Sequence, residues 1–257
     1  MIASKSQNID SLYEFAKGKT KREFKAGLDS LISESIVFHK KYEELNYKDD
    51  YKQISRLLLL FNVESVRLID EKSQRFPFDR FKDKKVWSLE HIHAQRAEGM
   101  RKQEEWKKWL EMHLESLFAV EADDDLIERV QLLLDKEKLE EKDFNSVKDD
   151  VIEELSADTG IDYIHSISNM ALLNTGDNAA LNNSTFDVKR NMVIDLDKRG
   201  KYIPFCTKMV FLKYYTESDK NQIHFWGQAD REAYVQAINK VLEPYMQKEI
   251  PAGSVGE

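Results

Sequence analysis

Apolar residues recur at helical intervals along most of this chain. Leu12, Phe15 and Ala16 begin one stripe, and Phe24, Leu28, Leu31, Ile32, Ile36 and Phe38 continue another, so residues 8 to 45 are expected to be helical, weakened locally by Gly18 and Gly27. Asp49 and Asp50 precede a strongly apolar stretch, Ile54 to Ile69. It is longer than most strands and reads as a buried helix. Pro77 interrupts the pattern, and Val86, Trp87 and Leu89 then read as a short strand.

From 101 to 156 the spacing is helical again. Trp106, Leu110, His113, Leu114 and Leu117 share one face, and Asp123, Asp124 and Asp125 supply helix-start chemistry before Ile127, Val130, Leu133 and Leu134. A third helix is expected over Ser146 to Leu155, then a turn at Asp158-Thr159-Gly160. Ile164 to Leu173 leads into a second short strand. Thr175-Gly176-Asp177 turns the chain into a helix with Leu181, Val188, Met192 and Leu196 on one face, ended by Arg199-Gly200. Thr207 to Tyr215 and Gln228 to Met246 complete the helices, and the tail from Pro251 is expected to be loose. The expected fold class is therefore mainly α with a small β-hairpin, a ββα-metal core embedded in a helical domain. Its expected regions are a helical segment 1–80, a core 81–220 carrying a helical insertion at about 101–157, and a C-terminal helix and tail 221–257.

Composition narrows the class. With 9 Gly, 4 Pro and 33% charged residues among 257, a helix-rich domain is favoured over a β-sandwich. No apolar run approaches the roughly 20 residues of a membrane span, and no basic leader precedes an apolar signal core, so no membrane partner is expected. The single Cys206 forms no internal disulfide and no zinc cage, which fits a reducing cytoplasm. The net charge of −8 argues against nucleic acid until its distribution is considered. Residues 104–154 hold 18 acids and 7 bases, which leaves the rest of the chain at +3. Residues 182–215 hold 7 bases and 3 acids. Phosphate responds to that local field rather than to the average.

The chemistry lies in two distant segments, Trp87-Ser88-Leu89-Glu90-His91-Ile92-His93-Ala94-Gln95 and Ser168-Asn169-Met170-Ala171-Leu172-Leu173-Asn174, the second leading into Asn178, Asn182 and Phe186 to Arg190. Phosphodiester hydrolysis needs a base for water, and an imidazole is poised for it. It also needs a charge that neutralises the phosphoryl group and the leaving oxygen, which one divalent ion supplies. His91 is the candidate general base, and Glu90 and Asn178 are candidate ligands of Mg²⁺ or Mn²⁺, with Asn182 one helical turn further on. Lys189, Arg190 and the basic stretch to Lys213 are candidates for gripping the DNA backbone. Regular strand geometry opposes this set at one point, since neighbours such as Glu90 and His91 face opposite ways unless the chain bends. A Zn²⁺ site from His91, His93 and His165 is the weaker reading, because no Cys supports it. No Gly-flanked nucleophile supports a Ser/His/Asp triad, and no phosphate-binding Gly loop supports an NTPase.

These segments resemble the C-terminal HNH (His-Me finger) nuclease domain of GmrSD-type modification-dependent restriction endonucleases. Glu90-His91-Ile92 followed by Gln95 resembles that family's acid-His-Ile with Pro-Gln. Ser168-Asn169-Met170-Ala171-Leu172-Leu173 resembles its Gly-Asn-Leu run, and Asn178 to Arg190 its Asn, Asn, Phe and Lys-Arg. Tyr202 to Thr207 and Val210 to Tyr215 are similar to its later helix, so the likeness spans about 54 to 215. Ala94 stands where the family has Pro, and Ser168 where it has Gly. The resemblance implies metal-dependent cleavage of foreign, often modified, phage DNA in a bacterial cytoplasm, with His91 as base, Asn178 as the helix-borne metal residue and Asn169 as the residue holding the loop between strands. It also implies a nucleotide-dependent sensor domain or separate partner subunit. Two other readings stand beside it: a catalytically idle partner-binding module of a defence system, suggested by the acidic insertion, and an RNA-cleaving toxin using the same site.

Overall fold

The computed structural model describes residues 8–36, 41–69, 75–81, 87–93, 100–156, 163–176, 184–217 and 223–246. The chain is mainly helical with one small antiparallel sheet. Helices α1 (Ile9–Ala16) and α2 (Lys21–Ser35) form the two stripes near the start. Each begins at a capping box, Asn8 with Ser11 and Thr20 with Glu23. Phe38 and Val86 lie outside the described residues, as do the Asp158-Thr159-Gly160 turn and the tail from Pro251.

Helix α3 (Tyr47–Ile69) is the buried helix expected from the pattern. Ile54, Leu57, Leu58 and Phe61 recur at i, i+3, i+4 and i+7, and all are 0% exposed. Burying each contributes about 1.5–3 kcal/mol. The helix bends at Asp50 (φ −117°, ψ 23°), whose carboxylate accepts the N–H of Asn46 at 2.8 Å. Strands β1 (Trp87–His91) and β2 (Met170–Asn174) pair antiparallel, with Glu90 opposite Ala171 and His91 opposite Met170.

A two-stranded sheet is marginal alone and needs packing partners. Here helices α3, α7 (Phe186–Lys198), α8 (Phe205–Phe211) and α9 (Gln228–Leu242) share one hydrophobic core with both strands. Backbone groups of the β2 segment that the sheet leaves open are satisfied from those helices and the chain before α9. The Thr207 hydroxyl donates to the carbonyl of Leu172 at 2.6 Å, Tyr234 to that of Met170 at 3.1 Å, and the Trp226 indole to that of Ser168 at 3.1 Å.

Helices α4 (Gln103–Ala119), α5 (Asp124–Asp135) and α6 (Glu141–Glu154) enclose a second hydrophobic core of their own, built on Trp109, Leu110, Leu117, Val130 and Val151. Several boundaries differ from expectation, among them the end of α9, at Leu242 rather than Met246. Helix α6 starts five residues before Ser146, because Glu140 and Asp143 close a capping box. Helix α7 begins at Phe186, and Leu181 lies outside the described residues. Helix α8 stops at Phe211 rather than Tyr215, because Lys213 adopts a left-handed backbone (φ 59°) and the chain turns there. Among the described residues no helix is long and apolar enough to cross a membrane.

Candidate functional site

The two motif segments meet at the end of the sheet. Just past β1, the Ile92 N–H donates to the carbonyl of Asn169 at 2.9 Å. The Asn169 carboxamide then grips His93 on both sides: its Oδ1 accepts the His93 N–H and its Nδ2 donates to the His93 carbonyl, each at 2.9 Å. The same Nδ2 donates to the carbonyl of Ile164 at 3.0 Å. Asn169 is 0% exposed. One buried amide therefore holds the turn after His91 to the loop before β2. Ser168 sits in the 3-10 turn Ile167–Asn169 without a positive φ, which is why a side chain fits where the resembling family has Gly.

His91 is half-buried against Tyr47 and His165. Its Nε2 faces His165 Nδ1 at 3.3 Å, and its Nδ1 has no hydrogen-bond partner among the described residues. Burial first, then the nearby charges of Lys189 and His165, lower its pKa to about 4. The ring is thus neutral at pH 7. The carbonyl of His165 in turn accepts the N–H of Tyr47 at 2.8 Å, which ties the start of α3 to this pair.

Glu90 lies elsewhere. It is 4% exposed, and its Oε1 accepts from the Lys189 ammonium at 2.5 Å. Lys189 also donates to the carbonyl of His91 at 2.5 Å. Burial raises the Glu90 carboxyl from its usual range, and the ammonium pulls it back only in part. Strand alternation thus prevails over the expected convergence: Glu90 is committed to Lys189 while His91 faces His165. As a metal ligand beside His91, Glu90 is not in place. Lys189 (1% exposed) and Lys213 (2%), expected to grip the DNA backbone, are buried instead. The Lys213 ammonium is paired with Asp230 at 2.6 Å and lies over the rings of Phe186 and Trp226. Neither lysine presents its charge to a phosphate. Arg190 is half-buried, with its Nε enclosed and unpartnered. Asn178 and Asn182, with Ala94 and Gln95, lie outside the described residues. Among the described residues no three His, Cys, Asp or Glu side chains gather to hold a metal, and of the zinc set His91 and His165 meet while both His93 ring nitrogens bond to Phe186 and Ser156.

His93 takes a structural part instead. Its Nδ1 accepts the N–H of Phe186, the first residue of α7, at 3.2 Å, and its Nε2 meets the Ser156 hydroxyl at 3.1 Å. From α4, His113 Nε2 accepts the N–H of Thr185 at 3.3 Å while its Nδ1 bonds to the carbonyl of Trp109 at 2.8 Å. Two neutral imidazoles therefore satisfy amides at the start of α7, where no side chain of the helix itself caps it. Burial lowers both to about 3. Asp187, 1% exposed, accepts from Ser116 of α4 at 2.6 Å and bonds His224 at 2.9 Å. Sequence reasoning missed these latches. An acid in the first turn of a helix reads as solvent-facing dipole compensation, and nothing local announces partners 37 or more residues away.

A groove of about 400 Å³ runs beside the turn before β2, lined by Glu43, Ser166, Ser168, Gln228, Arg231 and Glu232, but His91 is not part of its wall. No family model, no curated protein and no solved structure matches this chain.

Proposed function

We propose that this chain hydrolyses DNA phosphodiester bonds, with His91 as the general base, as a bacterial nuclease directed at foreign or modified DNA in the cytoplasm. The supporting observation is the Asn169 clamp. It fixes the two residues after His91 against β2, beside a helix that Lys189 and His93 anchor from behind, as the strand-strand-helix reading requires. In the tautomer that serves a base, Nε2–H donates to His165 and the Nδ1 lone pair takes the proton from water as it attacks phosphorus. A ring with a pKa near 4 is a weak but fully deprotonated base at neutral pH.

Mg²⁺ or Mn²⁺ belongs to this reading through the resemblance, and when bound it would neutralise charge on the phosphoryl oxygens. The described residues do not supply its ligands. Glu90 is held by Lys189, and the expected Asn178 and Asn182 fall outside them. A sensor domain or partner subunit that admits the DNA is part of the same proposal.

The commitment of Glu90 to Lys189 also favours a second reading, a partner-binding module with an idle site. One experiment separates the two. Supercoiled plasmid is incubated with the wild-type chain and with His91→Ala, in Mg²⁺, in Mn²⁺ and in EDTA. The nuclease reading expects nicking that needs the ion and falls about 10²- to 10⁴-fold in the variant. No ion-dependent nicking by either chain, or equal nicking by both, sinks it. Matched RNA substrates separate DNA cleavage from an RNA-directed toxin.

A further inference from the structure

With Lys189 and Lys213 turned inward, the bases that the core keeps on its surface, such as Lys198 and Lys201, lie at and just beyond the C-terminal end of α7. A second set lies in the N-terminal hairpin. Residues 17–25, Lys-Gly-Lys-Thr-Lys-Arg-Glu-Phe-Lys, carry five bases and one acid in a chain of net charge −8. They form the turn from α1 into α2, and all five bases are exposed. Gly18 makes the turn at φ +72°, with nothing within 4 Å of where its Cβ would stand.

Two of the five have a structural task. Lys17 pairs with Glu14 at 2.6 Å, and Lys19 donates to the carbonyl of Phe15 at 2.7 Å, both at the C-terminal end of α1, where cations are favoured. Lys21, Arg22 and Lys25 have none. They make no ion pair or hydrogen bond among the described residues. Lys21 and Arg22 also sit in the first turn of α2, where the helix dipole disfavours cations, and Lys25 is a like charge one turn from Lys21. Some exposed bases elsewhere are answered by acids, as Arg129 is by Asp150, Lys136 by Asp143 and Lys208 by Asp197, and others, such as Lys52, Lys108, Lys198 and Lys201, have no such partner among the described residues. What marks Lys21, Arg22 and Lys25 is their density, since with Lys17 and Lys19 they make five exposed bases in nine residues.

We infer that this face, Lys21, Arg22 and Lys25, docks the phosphate backbone of a nucleic-acid duplex. Charge complementarity carries the assignment: the surface is a compact set of exposed point charges, suited to sequence-independent backbone contact. The choice of a DNA duplex rests on the nuclease reading above. Binding here would hold substrate to the protein without touching the groups that cleave it.

The test uses the full chain and the variant Lys21→Gln/Arg22→Gln/Lys25→Gln, which removes unfavourable charge from α2 and should fold at least as well. Anisotropy of a fluorescein-labelled 20-base-pair DNA duplex is followed in EDTA from 50 to 300 mM KCl. Each backbone contact adds about 0.9 to the log–log salt slope, so the slope should fall by about 2 to 3 and affinity at 100 mM by about tenfold or more. His91→Ala should bind like wild type, which keeps failure of the cleavage chemistry distinct from failure of this surface. An unchanged slope and affinity in the triple variant overturns the inference. So does a change confined to the mass of the free chain in sedimentation, which would assign the face to the acidic helices of a second copy.

Discussion

Around the strands, Glu90, Lys189, Lys213 and Asp230 are each at most 5% exposed and paired with one another. In the α4–α6 lobe, by contrast, the ion pairs join exposed or half-exposed side chains such as Arg129 with Asp150 and Lys142 with Glu140. The lobe's buried interior is apolar apart from the α4 face, where His113 and Ser116 reach across to α7. The lobe is thus a small hydrophobic bundle with a solvated acidic coat, latched to the core by hydrogen bonds. The core holds its charges inside, where desolvation is costly and position is fixed. One of these pairs fixes the site: Lys189 bonds both the Glu90 carboxylate and the His91 carbonyl, the residues on either side of one peptide.

The comparison is tested most severely at Lys189. Lys189→Ala leaves Glu90 buried and unpaired and should destabilise the fold by about 3–5 kcal/mol, whereas Glu90→Leu with Lys189→Met together should cost far less. Urea unfolding of the two singles and the double reads this as a strong coupling. A single substitution that costs under 1 kcal/mol would mean the pair is not enclosed as described. Asn169→Ala comes next. It strands buried backbone groups of His93, at about 1–3 kcal/mol for a lost buried partner, and should depress nicking beyond what unfolding explains. Amide exchange at Ile92 and His93 should rise more than anywhere in α5.

Acid pH separates the regions by the same logic. The pKa values of His91, His93 and His113 are lowered in the folded chain, to about 4, 3 and 3, below their ordinary value of 6.5. The unfolded chain therefore binds more protons between those limits, so their contribution is present above pH 6.5 and is lost as pH falls toward 3. Tm should drop across that window, and His113→Asn should flatten the drop. A Tm constant from pH 7 to 4 contradicts the buried neutral rings. The smallest effect is expected on the lobe's coat. Arg129→Gln should change stability by about 0–1 kcal/mol, because exposed pairs in high dielectric are worth little.

Periodicity was enough to read α3 and the three helices of the lobe, because each repeats one burial pattern over several turns, whereas the strands, whose burial does not alternate, were legible only as short apolar runs. It misplaced the ends where a side chain or a backbone torsion decides them, as Glu140 does for α6 and Lys213 for α8. At the site, the nearness of the His91 and Asn169 segments was legible in the order of the two motifs. The inward lysines were not. A Lys-Arg pair on a helix reads as a solvated charge, and only a buried acid contributed from 99 residues away turns it inward. His165 was legible as chemistry but not as the group that backs His91, since that contact spans 74 residues.

The central claim is that a neutral imidazole at position 91 takes the proton from water. Chemical rescue measures this directly. His91→Ala is assayed for ion-dependent plasmid nicking with and without added imidazole, across pH 6 to 8. The account predicts a rate down about 10²- to 10⁴-fold that imidazole partly restores, in proportion to its neutral fraction. Wild-type nicking in the variant without any imidazole would contradict it.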